Sequence, residues 1–132
     1  MDLEHERTYY VGKEGLALLK QREIHFNDRY RERIDREVDE DGKYVFSAKW
    51  PTDSDNAQIG AIIRESNDGG YVAGIAWDEF LSAQGHNPWT CMHLSVRVGP
   101  LAPDESVTRR GRIYLYEGDA EDCLGRVREF LG

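Results

Sequence analysis

The stretch "NAQIGAIIRESNDGGYVAGIAW", residues 56–77, decides the fold class of this chain. Two runs rich in strand-forming residues flank "NDGG", whose residue types are those that tight turns prefer. In the second run, Tyr71, Ala73, Ile75 and Trp77 occupy alternate positions, which places them on one face of a strand. The stretch therefore predicts two antiparallel strands joined by a short turn.

The chain before this stretch allows more than one interpretation. "KEGLALLKQRE" is compatible with a short helix or with a strand that enters a sheet. Residues 29–38 and 43–50 flank Asp41-Gly42, a strong turn signal, and together they predict a hairpin. A helix over 29–38 stays open, because the apolar residues there are spaced by four as well as by two.

After residue 77 the chain again alternates between runs of strand-forming residues and turn signals. We expect a loop over residues 78–89, with at most one helical turn at its start, and strands over residues 90–98 and 107–118. In the last strand the alternation predicts that Ile113 and Leu115 point inward and that Tyr114 and Tyr116 point outward. Residues 119–132 predict a helix with Asp119 as its N-cap.

The spacing of these runs predicts a mainly β fold. Short strands with turn signals roughly every ten residues are typical of an antiparallel β-sandwich or a curved sheet. A C-terminal α-helix completes the expected fold, and 132 residues suit a single domain over residues 1–132.

Composition narrows the function classes. The chain carries 25 acidic and 17 basic residues, a net charge of −8, which argues against nucleic-acid binding and against adsorption to an anionic membrane. There is no apolar run long enough for a membrane span and no signal-peptide pattern at the N-terminus. Because the two cysteines do not demand a disulfide, we expect reduced thiols and a cytoplasmic setting, with export after signal removal left open.

The segment "SAQGHNPWTCMH", residues 82–93, concentrates side chains that carry chemistry. It holds two of the four histidines, one of the two cysteines and one of the three tryptophans. Flat aromatic faces combined with amides, imidazole and guanidinium suit a carbohydrate, whose rings stack while their hydroxyls form hydrogen bonds. The candidate ligand-binding residues are Trp77, Gln84, His86, Asn87, Trp89 and Arg97.

Three chemical alternatives involve the same segment. Asp78 and His86 form a candidate acid–base pair, and His86, Cys91 and His93 form a candidate metal site, since zinc accepts these ligand types. Cys91 is also a candidate nucleophile, for which His86 is the better base because His93 lies two residues along the same strand. The alternative without a functional role is a turn that an aromatic residue stabilises. Trp77 would then lie in the core, and Asp78 and Glu79 would be exposed to solvent.

A family resemblance covers residues 70–118. The "GHNPW" loop, the Pro-rich corner "LAPDES" and the strand ending in "YLYEG" resemble the C-terminal part of carbohydrate-active, mutarotase-like supersandwich proteins. The resemblance implies loops that face a sugar, with His86, Asn87 and Trp89 as candidate contacts. The chain departs from that family in being much shorter than an intact supersandwich.

The sequence thus predicts a β-rich domain that binds a small polar ligand, with carbohydrate as the favoured class, at the 82–93 loop. We expect no cofactor, because no glycine-rich phosphate loop is present. The alternatives are a small enzyme, based on Asp78 and His86 or on the metal site, and an acidic protein-interaction module that uses the Tyr114 and Tyr116 face. A homo-oligomer stays open.

Overall fold

A computed structural model describes residues 7–19, 24–27, 57–85, 91–98 and 101–132. The hairpin predicted over residues 29–50 lies outside these ranges, as do His86, Asn87 and Trp89. The described strands and the helix that follows them are, in chain order, β1 (Thr8–Gly12), β2 (Gly15–Leu18), β3 (Ile24–Phe26), β4 (Ile59–Glu65), β5 (Tyr71–Trp77), β6 (Phe80–Gln84), β7 (His93–Val96), β8 (Gly111–Glu117) and α1 (Ala120–Leu131).

The described strands form two antiparallel sheets. The larger sheet has the order β2-β1-β4-β5-β8, and the smaller sheet has the order β3-β6-β7. One face of the larger sheet packs against α1 and the other packs against the smaller sheet. This arrangement confirms the predicted mainly β fold with a C-terminal helix.

The larger sheet is the shared wall of two apolar cores, and β4 shows why. Ile62 and Ile63 are adjacent and both fully buried, and they point to opposite faces because side chains alternate along a strand. Ile63 belongs to the core under α1, and Ile62 belongs to the core between the sheets. The unbroken apolar run "IGAII" is therefore typical of a strand that is covered on both faces.

The chain passes from the larger sheet to the smaller one through the two-residue turn Asp78-Glu79, which joins β5 to β6. Gly60 on β4 lies beneath this crossing. A Cβ at Gly60 would lie 2.4 Å from the Trp77 carbonyl oxygen and 2.9 Å from a ring carbon of Phe80. The close approach of the two chain segments thus requires glycine at this position.

The predicted loop over residues 78–89 is wrong for its first half. Residues 80–84 form β6, which pairs with β3 on one side and β7 on the other. Phe80, Leu81 and Ala83 are all buried, because β6 is the central strand of the smaller sheet. A run buried in this way does not alternate between apolar and polar residues, and a bulge at Leu81 disturbs the pattern further.

In the N-terminal region, the structure has a strand and not the alternative helix. β1 and β2 form a hairpin in which Gly12 pairs with Gly15 across Lys13-Glu14. Gly15 has a φ of +107°, which lies in the region that glycine populates most readily. The strand alternative for "KEGLALLKQRE" is thus confirmed over Gly15–Leu18.

Helix α1 confirms the prediction for residues 119–132. The Asp119 carboxylate accepts a hydrogen bond from the Asp122 backbone N–H at 2.8 Å, as an N-cap does. The buried stripe of the helix lies on the larger sheet and consists of Ala120, Cys123, Leu124 and Val127. No helix among the described residues has both the length and the apolarity needed to cross a membrane.

The predicted orientation of β8 is wrong. Tyr114 is 7% exposed, whereas Ile113 and Leu115 are 80% and 77% exposed. Strand alternation separates two faces but does not say which one is covered, and here α1 returns over the tyrosine face. The hydroxyl of Tyr114 donates to the Arg126 carbonyl at 3.4 Å, and that of Tyr116 donates to the Asp122 carboxylate at 2.7 Å.

Candidate functional site

Residues 85–92, the middle of the 82–93 segment, connect the two strands of the β6–β7 hairpin. Gln84 at the end of β6 pairs with His93 at the start of β7, and Ser82 pairs with Ser95 further along. The connecting residues therefore begin and end at the Gln84–His93 pair. We call the Gln84–His93 pair, together with residues 85–92, the loop end of the hairpin.

Side-chain alternation gives the smaller sheet an inner and an outer face. Ala83 and Leu94 point inward and pack in the core that contains Tyr10 and Ile62. Gln84 and His93 point to the opposite, outer face, where His93 is exposed and Gln84 is partly buried. The loop end thus presents an amide and an imidazole directly opposite each other on adjacent strands, where cross-strand Cβ atoms are about 5 Å apart.

Cys91 precedes β7 and is exposed, while Cys123 is buried under α1, and the two do not form a disulfide with each other. Burial raises the pKa of the Cys123 thiol. The thiol of Cys91 and the imidazole of His93 are accessible at the same end of the hairpin, whereas Cys123 belongs to the core.

The metal prediction stays a prediction. Among the described residues, no three His, Cys, Asp or Glu side chains lie close enough together to hold an ion. His86, the third proposed ligand, lies outside the described ranges.

Trp77, Asp78 and Arg97 lie at the other end of the hairpin. Phe80 pairs with Val96 there, and the Arg97 N–H donates to the Glu79 carbonyl at 2.9 Å. From Phe80 at this end to Gln84, β6 advances by four residues, about 13 Å at about 3.3 Å per residue. The described candidate residues therefore divide into two groups rather than one.

The group at the far end has structural roles. The Trp77 ring is partly buried and lies so close to Gly111 that a Cβ there would be 2.7 Å from it. The Asp78 carboxylate accepts from the Glu79 N–H at 2.8 Å within the turn, while the Asp78 N–H donates to the Arg110 carbonyl at 2.9 Å. These contacts fix the crossing between the sheets.

Arg97 is also part of the framework at this end. It is only 5% exposed, and its carbonyl accepts a 2.6 Å hydrogen bond from the Arg109 guanidinium. A side chain so deeply covered is poorly placed to meet a ligand that arrives from solvent.

The sequence did not single out His25, a buried imidazole in β3. His25 is 1% exposed and stacks on Tyr10, with ring centroids 3.8 Å apart and an angle of 17° between the planes. The stack joins the smaller sheet to β1 of the larger one. No local signal could have found it, because the two residues lie on strands of different sheets.

Comparison of the chain with protein-family models, with curated proteins and with solved structures finds no match.

Proposed function

We propose that this protein binds a small, polar, uncharged ligand of the carbohydrate class at the loop end of the β6–β7 hairpin. The observation that supports this proposal most directly is the Gln84–His93 pair, whose polar side chains share the outer face of the smaller sheet at the base of the 85–92 segment. The pair supplies both donors and acceptors, which the hydroxyl groups of a sugar require.

The sequence of the segment adds what the pair lacks. Trp89 offers a flat aromatic face for stacking, and Asn87 and His86 offer further hydrogen-bonding groups. The net charge of −8 favours a neutral ligand over an anionic one. The loop end is favoured over the far end as the binding site. At the far end, the Trp77 ring packs closely against Gly111 and Arg97 is buried.

The proposal is tested by a glycan array followed by calorimetric titration of each sugar that binds. Loss of one stacking contact or one hydrogen bond weakens binding by about 0.5–1.5 kcal/mol, so Trp89→Ala and His93→Ala should each weaken it by up to about tenfold. Tyr71→Ala is the matched control, because it removes an exposed aromatic side chain from the other sheet and should leave the affinity unchanged.

Two results would contradict the proposal. One is the absence of any sugar that binds the wild-type protein. The other is a sugar that binds equally well to the Trp89→Ala and His93→Ala variants.

His93→Ala, together with Cys91→Ser, separates carbohydrate binding from the metal alternative. If Zn²⁺ alone binds the wild-type protein, and both His93→Ala and Cys91→Ser abolish that binding, the loop end is a metal site instead. Chelator treatment would then lower the melting temperature, because a ligand that binds only the folded state stabilises it.

A further inference from the structure

The outer edge of β8 is a second candidate binding surface, besides the loop end. It belongs to the larger sheet and lies away from the loop end. β8 is an edge strand of the sheet that the described residues form, and it pairs with β5 over seven consecutive residues without a bulge. Ile113 and Leu115 on this strand are 80% and 77% exposed. A long, regular, apolar edge of this kind pairs readily with another strand, and proteins usually avoid exposing such an edge.

The backbone groups on this edge can be identified from the pairing with β5. The Gly118 N–H donates to the Gly70 carbonyl at 3.1 Å, and the Asp78 N–H donates to the Arg110 carbonyl at 2.9 Å. Because antiparallel bonding alternates along a strand, even-numbered residues of β8 direct their backbone groups towards β5. Odd-numbered residues direct theirs outward, and these are Gly111, Ile113, Leu115 and Glu117.

The distribution of charge along β8 indicates which strand would fit there. Arginines stand at and just before its start, whereas acidic residues stand at its end and in the first turn of α1. In an antiparallel pair of two β8 strands, the basic end of each lies beside the acidic end of the other. A parallel pair would instead place like charges together. The residues concerned are Arg109, Arg110 and Arg112, and Glu117, Asp119 and Glu121.

We propose that two copies of this chain associate through their β8 strands, antiparallel and about a two-fold axis at Tyr114. Full overlap of Gly111–Glu117 places Ile113 of one copy opposite Leu115 of the other, and Gly111 opposite Glu117. Opposed residues then both belong to the outward-directed set, so each can exchange two backbone hydrogen bonds. The two larger sheets become one continuous sheet.

The faces of that sheet also match. On one face Ile113 and Leu115 cover each other, which removes from water the most exposed large apolar side chains among the described residues. On the other face Arg112 of one copy lies opposite Tyr116 of the other, and each keeps the contact that it makes within its own chain, Arg112 on the Phe130 ring and Tyr116 under Arg126. The backbone of α1 packs mainly over β4 and β5, not beside the outer edge of β8.

The first experiment is sedimentation velocity in the presence of a reductant, over a wide range of protein concentration. We expect the wild-type protein to approach twice its 15.2 kDa mass as the concentration rises. Leu115→Lys should weaken association by about tenfold or more, because a buried leucine is replaced by a charge in both copies. Leu18→Lys is the matched control: Leu18 is 53% exposed on β2, the other edge strand of this sheet, and its substitution should change nothing.

The second experiment is residue-resolved hydrogen exchange. The amides of Ile113 and Leu115 should be protected at high concentration and exchange quickly on dilution, whereas the Tyr114 amide should stay protected at both. Circular dichroism of each variant checks that it folds.

Three results would overturn the proposal. They are a wild-type protein that stays monomeric at every concentration, a dimer that Leu115→Lys leaves intact, and protection of the Ile113 and Leu115 amides in a monomer. The last would mean that another part of the same chain covers the edge.

Discussion

Gly74 shows how one residue sets the distance between the helix and the larger sheet. It lies on β5 beneath α1, and a Cβ there would be 2.9 Å from the Cys123 Sγ and 3.4 Å from the Tyr114 ring. Cys123 is fully buried, so its sulfur has no solvent-exposed space to move into. The absence of a side chain at position 74 therefore allows α1 to pack as closely as it does.

Replacing Gly74 by alanine should lower the free energy of unfolding by about 1–3 kcal/mol, because the added methyl group overfills a packed core. Urea denaturation measures the change. In a Cys123→Ala background the cost of Gly74→Ala should fall, since the obstructing sulfur is gone.

The matched control is Gly125→Ala in α1. An added Cβ there meets nothing within 4 Å, and alanine is the better helix former, so stability should rise by about 0.5–1 kcal/mol. Equal effects of the two substitutions would contradict this account of Gly74.

At the scale of secondary-structure elements, the contact between β8 and α1 is the clearest case in which adjacent elements determine each other. The Tyr116 hydroxyl donates to the Asp122 carboxylate at 2.7 Å, and the Arg126 guanidinium lies 3.9 Å from the centre of the Tyr116 ring. Arg126 also forms an ion pair with Asp122 at 3.2 Å. These side chains hold the first turns of the helix against the end of the strand.

This contact should make stability fall in alkaline solution. Burial raises the pKa of Tyr116, and so does the hydrogen bond to Asp122, because only the protonated hydroxyl can donate it. A folded-state pKa above the unfolded value of about 10 gives a contribution that is complete below pH 10 and is lost as the pH rises further. Tyr116→Phe and Asp122→Asn should each make the decline shallower, as measured by urea denaturation across this pH range.

Glu121→Gln is the control for this prediction, since Glu121 is a neighbouring acid that does not accept the bond. A decline that is equally steep in wild type and in Tyr116→Phe would show that Tyr116 does not contribute.

At the scale of the whole molecule, the larger sheet couples the two cores, because adjacent residues of β4 enter both of them. Ile62→Ala and Ile63→Ala should therefore each lower the free energy of unfolding by about 2–5 kcal/mol, and the matched valine variants by about 0.5–1.5 kcal/mol. Helix content and tryptophan fluorescence should report one common transition in each variant. Separate transitions for the two probes would show that α1 and the smaller sheet unfold independently.

Patterns within one element could be read from the sequence. The alternation in residues 71–77 predicted the two faces of β5, and the capping aspartate with its apolar stripe predicted α1. Both signals are local, since a strand or a helix imposes its own period on the side chains that it buries.

Features that depend on contacts between different strands and helices could not be predicted from local sequence patterns. Whether Tyr114 or Ile113 faces the core depends on where α1 returns, and β6 is a strand because it lies between β3 and β7. The candidate residues at positions 77 to 97 are near in sequence, yet β6 carries the chain from one group to the other. The sequence by itself determined the local periods, the turn between β4 and β5 and the mainly β class, because these depend on backbone geometry and neighbouring residues. Only the tertiary structure decided which faces are covered and which side chains share an end of the hairpin, because burial depends on contacts between segments far apart in the chain.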